Sequence, residues 1–600
     1  MTLLDLPPEI LTRVLLYVPF TSLMTCKAVS HHLQVLITES VELQYYIHLS
    51  RSGLVDNPRC DLPISERLSW LLARERRWEE FDFDFDKIVE VPSRLQHNYT
   101  SLSGGYFSAI TEDEESHYIR LPTAHFREIK WQAVRPEKKI ISDGVWIYEQ
   151  DLHILITAQK RTVHANATGP RAIYEIQVHL NQLSTGEPHP NARRATISFD
   201  VRAEFEKPWI TSECTGDNLV LVLCDLSGRI KPDDEMYIYD WKTGELKLRH
   251  GAPFRSYNCP IILTTHIFLL PNERSGELEC WRIPQSPPEL THHQPFFVLS
   301  LPRLHSGNTF QSIDPRVEPN LGNRLSDASK PFYTNPHHAI VIFMVLIRSS
   351  RISLYPGFTF FIHRSSLVEY VDKFSAFASF NHRPEPVPYD EWGPPVCRWL
   401  NVDDTSWIAT TFGQRYVAPP LEAGIDGAPL TILDFNPVAV SEALAVEKQC
   451  LKARGPDDDG RNTAQNEGNE CTKGGSLKNN GETGPGCKAK DQEMFLQVHE
   501  DNAQEIPPGP LMEKMKVCDS SCEPELRGKV ITRAVTRAMD PLSDPNHCFE
   551  NTVYSSLPYT VRSSQVKYSF DALLLDEESI LGIRMTDSER IKEIHVLHCG

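Results

Sequence analysis

The chain has 600 residues, of which 40% are hydrophobic and 9% aromatic, so it can bury a sizeable core and is too long for one ordinary domain. Sixty-one basic residues against eighty acidic ones give a formal charge of −19, which argues against a general nucleic-acid-binding protein. The fourteen cysteines are scattered singly, which argues against a small disulfide scaffold and indicates reduced thiols.

The start of the chain, MTLLDLPPEI, has no basic residues and no apolar run that ends in small residues. We therefore expect no secretory signal and predict an intracellular protein, in the cytoplasm, the nucleus or both. The longest apolar runs, at residues 261–270 and 339–347, are shorter than the roughly 18–20 residues that a membrane span needs. We interpret each run as a buried strand and expect no membrane partner.

Three short helices are predicted in the first 40 residues. The two prolines of LPPEIL fit a helix start, where a missing N–H costs nothing, and apolar residues follow at helical spacing until Pro19 ends the helix. Thr21 or Ser22 offers a hydroxyl to cap the second helix, and Ser30 offers one to the third. A unit of roughly 40 residues rarely buries enough surface to fold alone, so we expect it to dock on another part of the chain or on another protein.

The stretch LPPEILTRVLLYVPFTSLMTCKAVSHHLQVLI resembles the F-box, a short helical module, in the order and spacing of its elements. The residues that follow, to about position 85, resemble the version common in fungal F-box proteins. The resemblance implies docking on a Skp-type adaptor, which ties the chain to the cullin scaffold of a ubiquitin ligase. Carried over by position, the adaptor face would include Leu6, Pro7, Ile10, Leu11, Val14, Leu15, Leu23, Cys26, Val29, Leu33 and Leu36.

Two questions about this segment stay open in the sequence. Some of the carried-over residues must fill the small core of the module instead of facing the adaptor, and spacing alone does not separate the two groups. The alternative to docking is an ordinary helical cap that packs on the downstream domain.

A further helix is predicted at ISERLSWLLARERRW, with an apolar stripe of Ile64, Leu68, Leu71, Leu72 and Trp78. We interpret its arginines as a solvated face rather than as a nucleic-acid patch; they are Arg67, Arg74, Arg76 and Arg77. The FDFDFD run that follows is interpreted as an exposed strand or linker rather than as a calcium site. We assign residues 1–50 to the F-box and 51–95 to a helical linker.

From about residue 100 the pattern changes to short alternating runs bounded by turn residues, which predicts strands. One pattern occurs twice, ending in Thr-Gly-Glu turns at Gly186 and Gly244, 58 positions apart. Repeats of this size predict the blades of a β-propeller, and the segment resembles the degenerate propellers that follow fungal F-boxes. We expect six or seven blades within residues 96–440, with a β-sandwich or paired β-domains as the competing fold.

The last part of the chain divides into a polar segment and late strands. A helical pattern starts near residue 441, but large apolar residues then almost vanish, so we predict a disordered insertion over 441–527. Residues 528–600 alternate like strands and are expected to close the β domain. A zinc site in the insertion is disfavoured because its cysteines have the wrong spacing; they are Cys471, Cys487, Cys518 and Cys522.

The predicted fold class is thus multidomain, with a three-helix F-box and linker helix before an all-β, propeller-like domain. No phosphate-loop, dinucleotide, HExxH or GxSxG motif occurs, so we expect no cofactor and no catalytic residues. The favoured function is a substrate-recognition adaptor that presents an unknown protein client to a ubiquitin ligase. The alternative is a propeller scaffold or hydrolase-like protein whose N-terminal helices are only structural.

Overall fold

The computed structural model describes most of the chain outside one long gap. The described residues are 4, 6–92, 95–111, 115–123, 128–135, 138–161, 172–203, 209–224, 234–284, 294–322, 329–351, 355–375, 383–401, 409–420, 427–454, 530–535, 539–586 and 590–600. The predicted disordered insertion lies outside them from residue 455 to 527, together with Cys471, Cys487, Cys518 and Cys522. In the described part, none of the helices combines the length and the apolar character that crossing a bilayer demands.

Helices dominate the first 80 residues and recur in the insertions of the β domain. In chain order the described helices are α1 Pro8–Leu15, α2 Phe20–Val29, α3 His31–Glu39, α4 Val41–Arg51, α5 Ile64–Glu80, α6 Arg364–Ser375, α7 Tyr389–Trp392 and α8 Pro437–Arg454. Two short 3₁₀ turns cover Tyr148–Gln150 and Pro336–His338. Helix α4 was not separately predicted. Residues 441–454, the start of the segment predicted to be disordered, belong to helix α8.

The β domain consists of seven antiparallel sheets of four or five strands, numbered here as blades 1 to 7. The strands, from first to last in each blade, are as follows: blade 1 Leu95–Ser103, Tyr106–Thr111, Ser116–Arg120 and Gln132–Val134; blade 2 Lys139–Ile147, Leu152–Arg161, Ala172–Gln182 and Thr196–Ala203; blade 3 Trp209–Thr215, Asn218–Cys224, Asp234–Asp240 and Glu245–Ala252; blade 4 Ile261–Thr264, Ile267–Asn272, Glu277–Arg282 and Phe297–Ser300; blade 5 Thr309–Arg316, Ile340–Arg348, Gly357–His363 and Cys397–Asn401; blade 6 Thr411–Phe412, Arg415–Val417, Ala428–Asp434, Tyr559–Tyr568 and Val530–Val535; blade 7 Ala572–Leu575, Ser579–Met585, Ile591–His598 and Phe85–Glu90.

Two small sheets lie outside the blades. Leu54–Asp56 pairs with Phe332–Thr334, and Asp540–Pro541 pairs with Tyr554–Ser555. The first of these sheets joins the N-terminal region to the connection between the first two strands of blade 5.

Hydrophobic clusters fill the spaces between successive blades all the way around. They lie between blades 2 and 3, 3 and 4, 4 and 5, 5 and 6, 6 and 7, and 7 and 1, with smaller clusters between 1 and 2. Each blade therefore buries both faces on its neighbours, which is how a propeller hides its sheets. The expected propeller is confirmed with seven blades, and the competing β-sandwich is wrong.

The repeated Thr-Gly-Glu turn occupies equivalent places in blades 2 and 3. Gly186 and Gly244 both lie between the third and fourth strands, with φ of 77° and 75°, a backbone conformation that glycine adopts without strain. Their N–H groups donate to Gln182 and Asp240 carbonyls at 2.8 and 2.7 Å. Residues 339–347 fall within one buried strand region as expected, whereas residues 261–270 form a hairpin of two strands, because a turn interrupts the run at residues 265 and 266.

The last blade is completed by a strand from the other end of the chain. Phe85–Glu90 pairs antiparallel with Ile591–His598, placing Val89 opposite Ile594, and Val89 is buried while its neighbour Ile88 is exposed. The segment expected to be a helical linker is thus helical only to Glu80 and then becomes this strand. Alternating side chains, with one face packed on the blade, favour a strand over a helix here.

Ring closure can be tested at two adjacent positions of this strand. Val89→Asp buries an unpaired carboxylate and is expected to destabilise the chain by about 3 kcal/mol or more. Ile88→Asp places the same group in solvent and should change the stability by less than about 1 kcal/mol. Urea unfolding followed by tryptophan fluorescence measures both; equal effects of the two substitutions would contradict closure by this strand.

Candidate protein-binding site

The N-terminal module, helices α1 to α4, is built by local signals that the sequence largely displays. Pro7 precedes α1 and the chain breaks again at Pro19. Ser30 Oγ accepts the Leu33 N–H at 3.4 Å, as expected for the cap of α3. The predicted hydroxyl cap of α2 is wrong, because α2 already starts at Phe20 and has no side-chain cap.

The module has a core of its own. Six buried residues from α1 to α4 form one cluster: Leu15, Leu23, Leu33, Ile37, Leu43 and Ile47. Three of the residues carried over to the adaptor face, Leu15, Leu23 and Leu33, are in this cluster, and Leu11 is buried as well. These four side chains hold the module together instead of presenting a surface.

The remaining carried-over residues are partly or fully exposed. Leu6, Cys26 and Leu36 are half-buried, and the last two pack against the module's core. Pro7, Ile10, Val14 and Val29 are exposed. The structure thus divides the carried-over residues into a buried group and a partly or fully exposed group.

An apolar stripe runs along the outer side of α1, formed by Pro7, Ile10, Val14 and Tyr17 and called the α1 stripe below. Ile10 is 46% exposed, Val14 40% and Tyr17, just beyond the end of α1, 91%. Steps of three, four and three residues place these side chains on one face of the helix. Tyr17 was not among the predicted site residues, although its place in the same helical period was the signal that could have included it.

The module is attached to the β domain through a second apolar cluster. Tyr45 and Leu49 of α4 pack with Leu54 and with Leu71 of α5. Phe332, from the strand paired with Leu54–Asp56, packs against the same cluster. The module, the linker helix and blade 5 therefore share one continuous contact.

Two linker arginines that were expected to be solvated are buried instead. Arg67 donates to Asp56 Oδ1 at 2.7 Å and to the Leu62 carbonyl at 2.8 Å. Arg74 donates to the Glu577 carbonyl at 2.9 Å, in the turn between the first two strands of blade 7. The expectation of a solvated face is wrong for both, because α5 lies against the ring and their side chains reach acceptors beneath it.

The contact between α5 and blade 6 centres on a half-buried carboxylate, that of Glu75. Glu75 lies 2.6 Å from Arg74 and 2.7 Å from Arg415 of blade 6. Burial by itself raises the pKa of Glu75, but Arg415 and Arg74 outweigh it and hold the pKa below its ordinary value. The Arg415 guanidinium also lies over the ring of Trp78, 4.9 Å from its centroid, which adds a cation–π contact at the same place.

Helices α5 and α8 meet the ring on the same face. Because strands alternate in direction, the turns between strands one and two and between strands three and four of each blade share a face. That face carries the Glu577 turn and also α8, where Asn436 donates to the Arg51 carbonyl at 2.6 Å. We call it the linker face and the opposite side the open face.

The described residues form no cluster of metal ligands, and the pKa values of several of their cysteine thiols are raised. Among them, no three histidine, cysteine, aspartate or glutamate side chains are grouped in a way that could hold a metal ion. Burial raises the pKa of several thiols, including those of Cys214 and Cys397, which disfavours reactive thiolates there.

Comparison with known proteins identifies the N-terminal module. Residues 3–43 match the F-box domain family, and no curated protein matches the chain. Similar solved structures are the Dos1 propeller (10% identity, 43% of this chain and 56% of that chain, TM-score 0.23), the C-terminal WD40 domain of Sif2 (8%, 59% and 85%, 0.25) and the WD40 domain of SCAP from fission yeast (10%, 57% and 73%, 0.23).

The propeller assignment follows from the strand pairing of this chain and not from these low scores. The N-terminal helices are an F-box domain, and a seven-bladed β-propeller follows them.

The attachment of the module to the ring can be tested at Arg415. Arg415→Met leaves Glu75 with one of its two cationic partners and is expected to destabilise the chain by about 3 kcal/mol at pH 7. The folded state lowers the pKa of Glu75. The ion pair therefore stabilises the folded chain at pH values above the ordinary carboxyl pKa, and Arg415→Met removes this stabilisation there. The difference from the unaltered chain should therefore shrink as the pH falls below about 4.

The control for this prediction is Arg76→Met, on the exposed side of α5, which should cost less than about 1 kcal/mol. Urea unfolding at pH 7 and at pH 3.5 measures both variants. A difference at Arg415 that does not depend on pH would contradict the role given to Glu75.

Proposed function

We propose that this chain, an F-box domain joined to a seven-bladed propeller, is a substrate-recognition adaptor of a Skp-cullin-F-box type ubiquitin ligase. In this proposal the F-box domain docks on the Skp-type adaptor, which connects it to the cullin scaffold. The propeller binds the protein client. The ligation chemistry belongs to the rest of the complex, and this chain, located inside the cell, supplies positioning.

The observation that carries the proposal is the exposed α1 stripe on a module whose core is already complete. Leu15, Leu23 and Leu33 fill that core, so Ile10, Val14 and Tyr17 contribute surface rather than folding energy. Burying such side chains contributes about 1.5–3 kcal/mol each, and tyrosine is among the residues that dominate protein interfaces. Contiguous exposed apolar surface of this kind marks a binding site for a partner.

The attachment of the helices to one face of the ring leaves the opposite face for the client. Helices α5 and α8 occupy the linker face, through Arg74 and Asn436. The open face carries the turns between the second and third strands and the connections between blades. We infer that the client binds at the open face, because loops held by a rigid scaffold are where propellers and similar folds place binding residues.

Docking can be tested by placing a charge on the α1 stripe. Ile10→Asp and Val14→Asp are each expected to weaken binding to a Skp-type adaptor by about thirtyfold or more, since a central apolar contact contributes about 2 kcal/mol and a buried unpaired charge adds to the loss. Both positions are exposed in the free chain, so the melting temperature should stay unchanged. Calorimetric titration with purified adaptor measures the affinity.

Val41→Asp is the matched control, since Val41 is exposed to a similar extent at the start of α4 but lies outside the α1 stripe. It should bind the adaptor like the unaltered chain. If folded Ile10→Asp and Val14→Asp proteins keep normal affinity, the docking proposal is wrong and the helices serve only as a cap on the ring.

The same point variants allow a search for the client. Deletion of residues 1–50 would also remove Tyr45 and Leu49, which pack against the linker and blade 5, and would thereby disturb the ring. With the Ile10→Asp, Val14→Asp double variant in cells whose proteasome is blocked, ligase components should be lost from affinity purifications while clients are retained. Loss of both groups together would contradict a client site on the propeller that is separate from the F-box.

A further inference from the structure

A small cavity lies at the linker face, beside the sheet that joins the N-terminal region to blade 5. Its volume is about 80 Å³, which corresponds to on the order of six water molecules. It is bordered by the turn of blade 7 at Asp576 to Glu578, by the first turns of blades 1 and 2, and by Lys330 and Tyr333. This space accommodates the planar or ammonium head of a single side chain but not a nucleotide or another large metabolite.

The cavity wall carries an excess of negative charge. The carboxyl groups on it belong to Glu149, Glu318, Asp576, Glu577 and Glu578, and the cationic groups to Arg120 and Lys330. With every group ionised, these seven residues have a formal charge of −3, and Arg316, which lies 3.4 Å from Glu318, offsets one of the negative charges. A positively charged occupant therefore complements it.

The acids are not equally neutralised. Lys330 Nζ lies 2.7 Å from Glu578 and 3.3 Å from Glu577, so the one nearby ammonium group is already engaged. Asp576 is 6% exposed, and the described residues provide it with no ion pair. Its Oδ1 accepts a long hydrogen bond, 3.4 Å, from the Gly105 N–H, and the backbone N–H of Glu577 also donates to the carboxyl group.

The electrostatic state of Asp576 reflects this position. Burial raises its pKa to about 7, and the neighbouring carboxylates Glu577 and Glu578 add to the rise, which Lys330 only partly offsets. The carboxyl group therefore keeps a proton at higher pH than an ordinary aspartate does. A cation in the cavity would favour the ionised form and release the proton.

Aromatic side chains complete the wall. Tyr148, Tyr333 and Phe412 border the same space as the acids. Aromatic faces attract ammonium and guanidinium groups, most strongly where water is excluded. A metal ion fits the wall less well, because it prefers oxygen ligands alone and two of the carboxylates are held by Lys330.

We propose that this cavity binds the positively charged side chain of an arginine or lysine that a protein partner presents at the linker face. The site is separate from the α1 stripe and needs no Skp-type adaptor. It would give the chain a second point of recognition, for a basic residue, where the ring meets the F-box domain.

The first test uses the unaltered full-length chain and N-acetyl-arginine methylamide as the probe, with N-acetyl-citrulline methylamide as its neutral analogue. Calorimetric titration should show saturable binding of the arginine compound and none of the citrulline compound. Because Asp576 must ionise, the affinity should rise about tenfold from pH 6 to pH 8. Titrations at pH 7 in two buffers of different ionisation enthalpy should show that protons are released on binding.

The second test removes the charge without changing the shape of the side chain. Asp576→Asn should weaken binding by about tenfold or more at pH 8 and reduce its pH dependence. Part of the dependence should remain, because burial also raises the pKa of Glu318 on the same wall. Glu187→Gln is the control, since Glu187 is exposed in the turn between the third and fourth strands of blade 2 and should leave binding unchanged. Melting curves verify that both variants fold.

Several results would overturn the proposal. These are equal binding of the citrulline compound, no proton release in the unaltered chain, or the same affinity in folded Asp576→Asn protein. Because proton release is measured without any substitution, the proposal remains testable even if Asp576→Asn fails to fold. Adaptor binding by the chain affects none of these outcomes.

Discussion

Pairing of Phe85–Glu90 with Ile591–His598 is the interaction on which the rest of the molecule depends, because it closes the ring of blades. Without it, blade 7 would expose a sheet edge and blade 1 would lose part of its packing, since Val89 belongs to the cluster between them. Only four residues separate the closing strand from the end of helix α5 at Glu80. Closure therefore fixes the end of the linker helix as well as the ring.

The linker helix α5 holds the F-box domain in a fixed orientation relative to the closed ring. Arg74 and the Glu75–Arg415 pair hold α5 on blades 6 and 7, and the cluster around Tyr45 and Leu71 holds α4 on α5. An exposed surface charge would contribute little to such a contact, but buried, hydrogen-bonded groups are costly to separate. A client on the propeller would thus be held at a defined distance and angle from the α1 stripe, which is the requirement for a positioning adaptor.

Local signals made much of the architecture predictable. The Ser30 cap, the Pro19 break and the glycine turns at Gly186 and Gly244 each act within a few residues, and the structure has each where the sequence indicated it. The features that were missed depend on how separate elements pack against one another. Arg67 and Arg74 are buried because Asp56 and the Glu577 carbonyl lie beneath α5, and the separation of Leu11 from Ile10 depends on which side of α1 the other helices cover.

The central claim is that the F-box domain is rigidly joined to the closed ring and offers the α1 stripe to a Skp-type adaptor. An electron cryomicroscopy structure of the full-length chain with that adaptor tests it most directly. The expected structure has Ile10, Val14 and Tyr17 buried against the adaptor, while α5 keeps its contacts with Arg415 and the Glu577 carbonyl. An adaptor bound elsewhere, or an F-box domain that has swung away from the linker face, would contradict the claim.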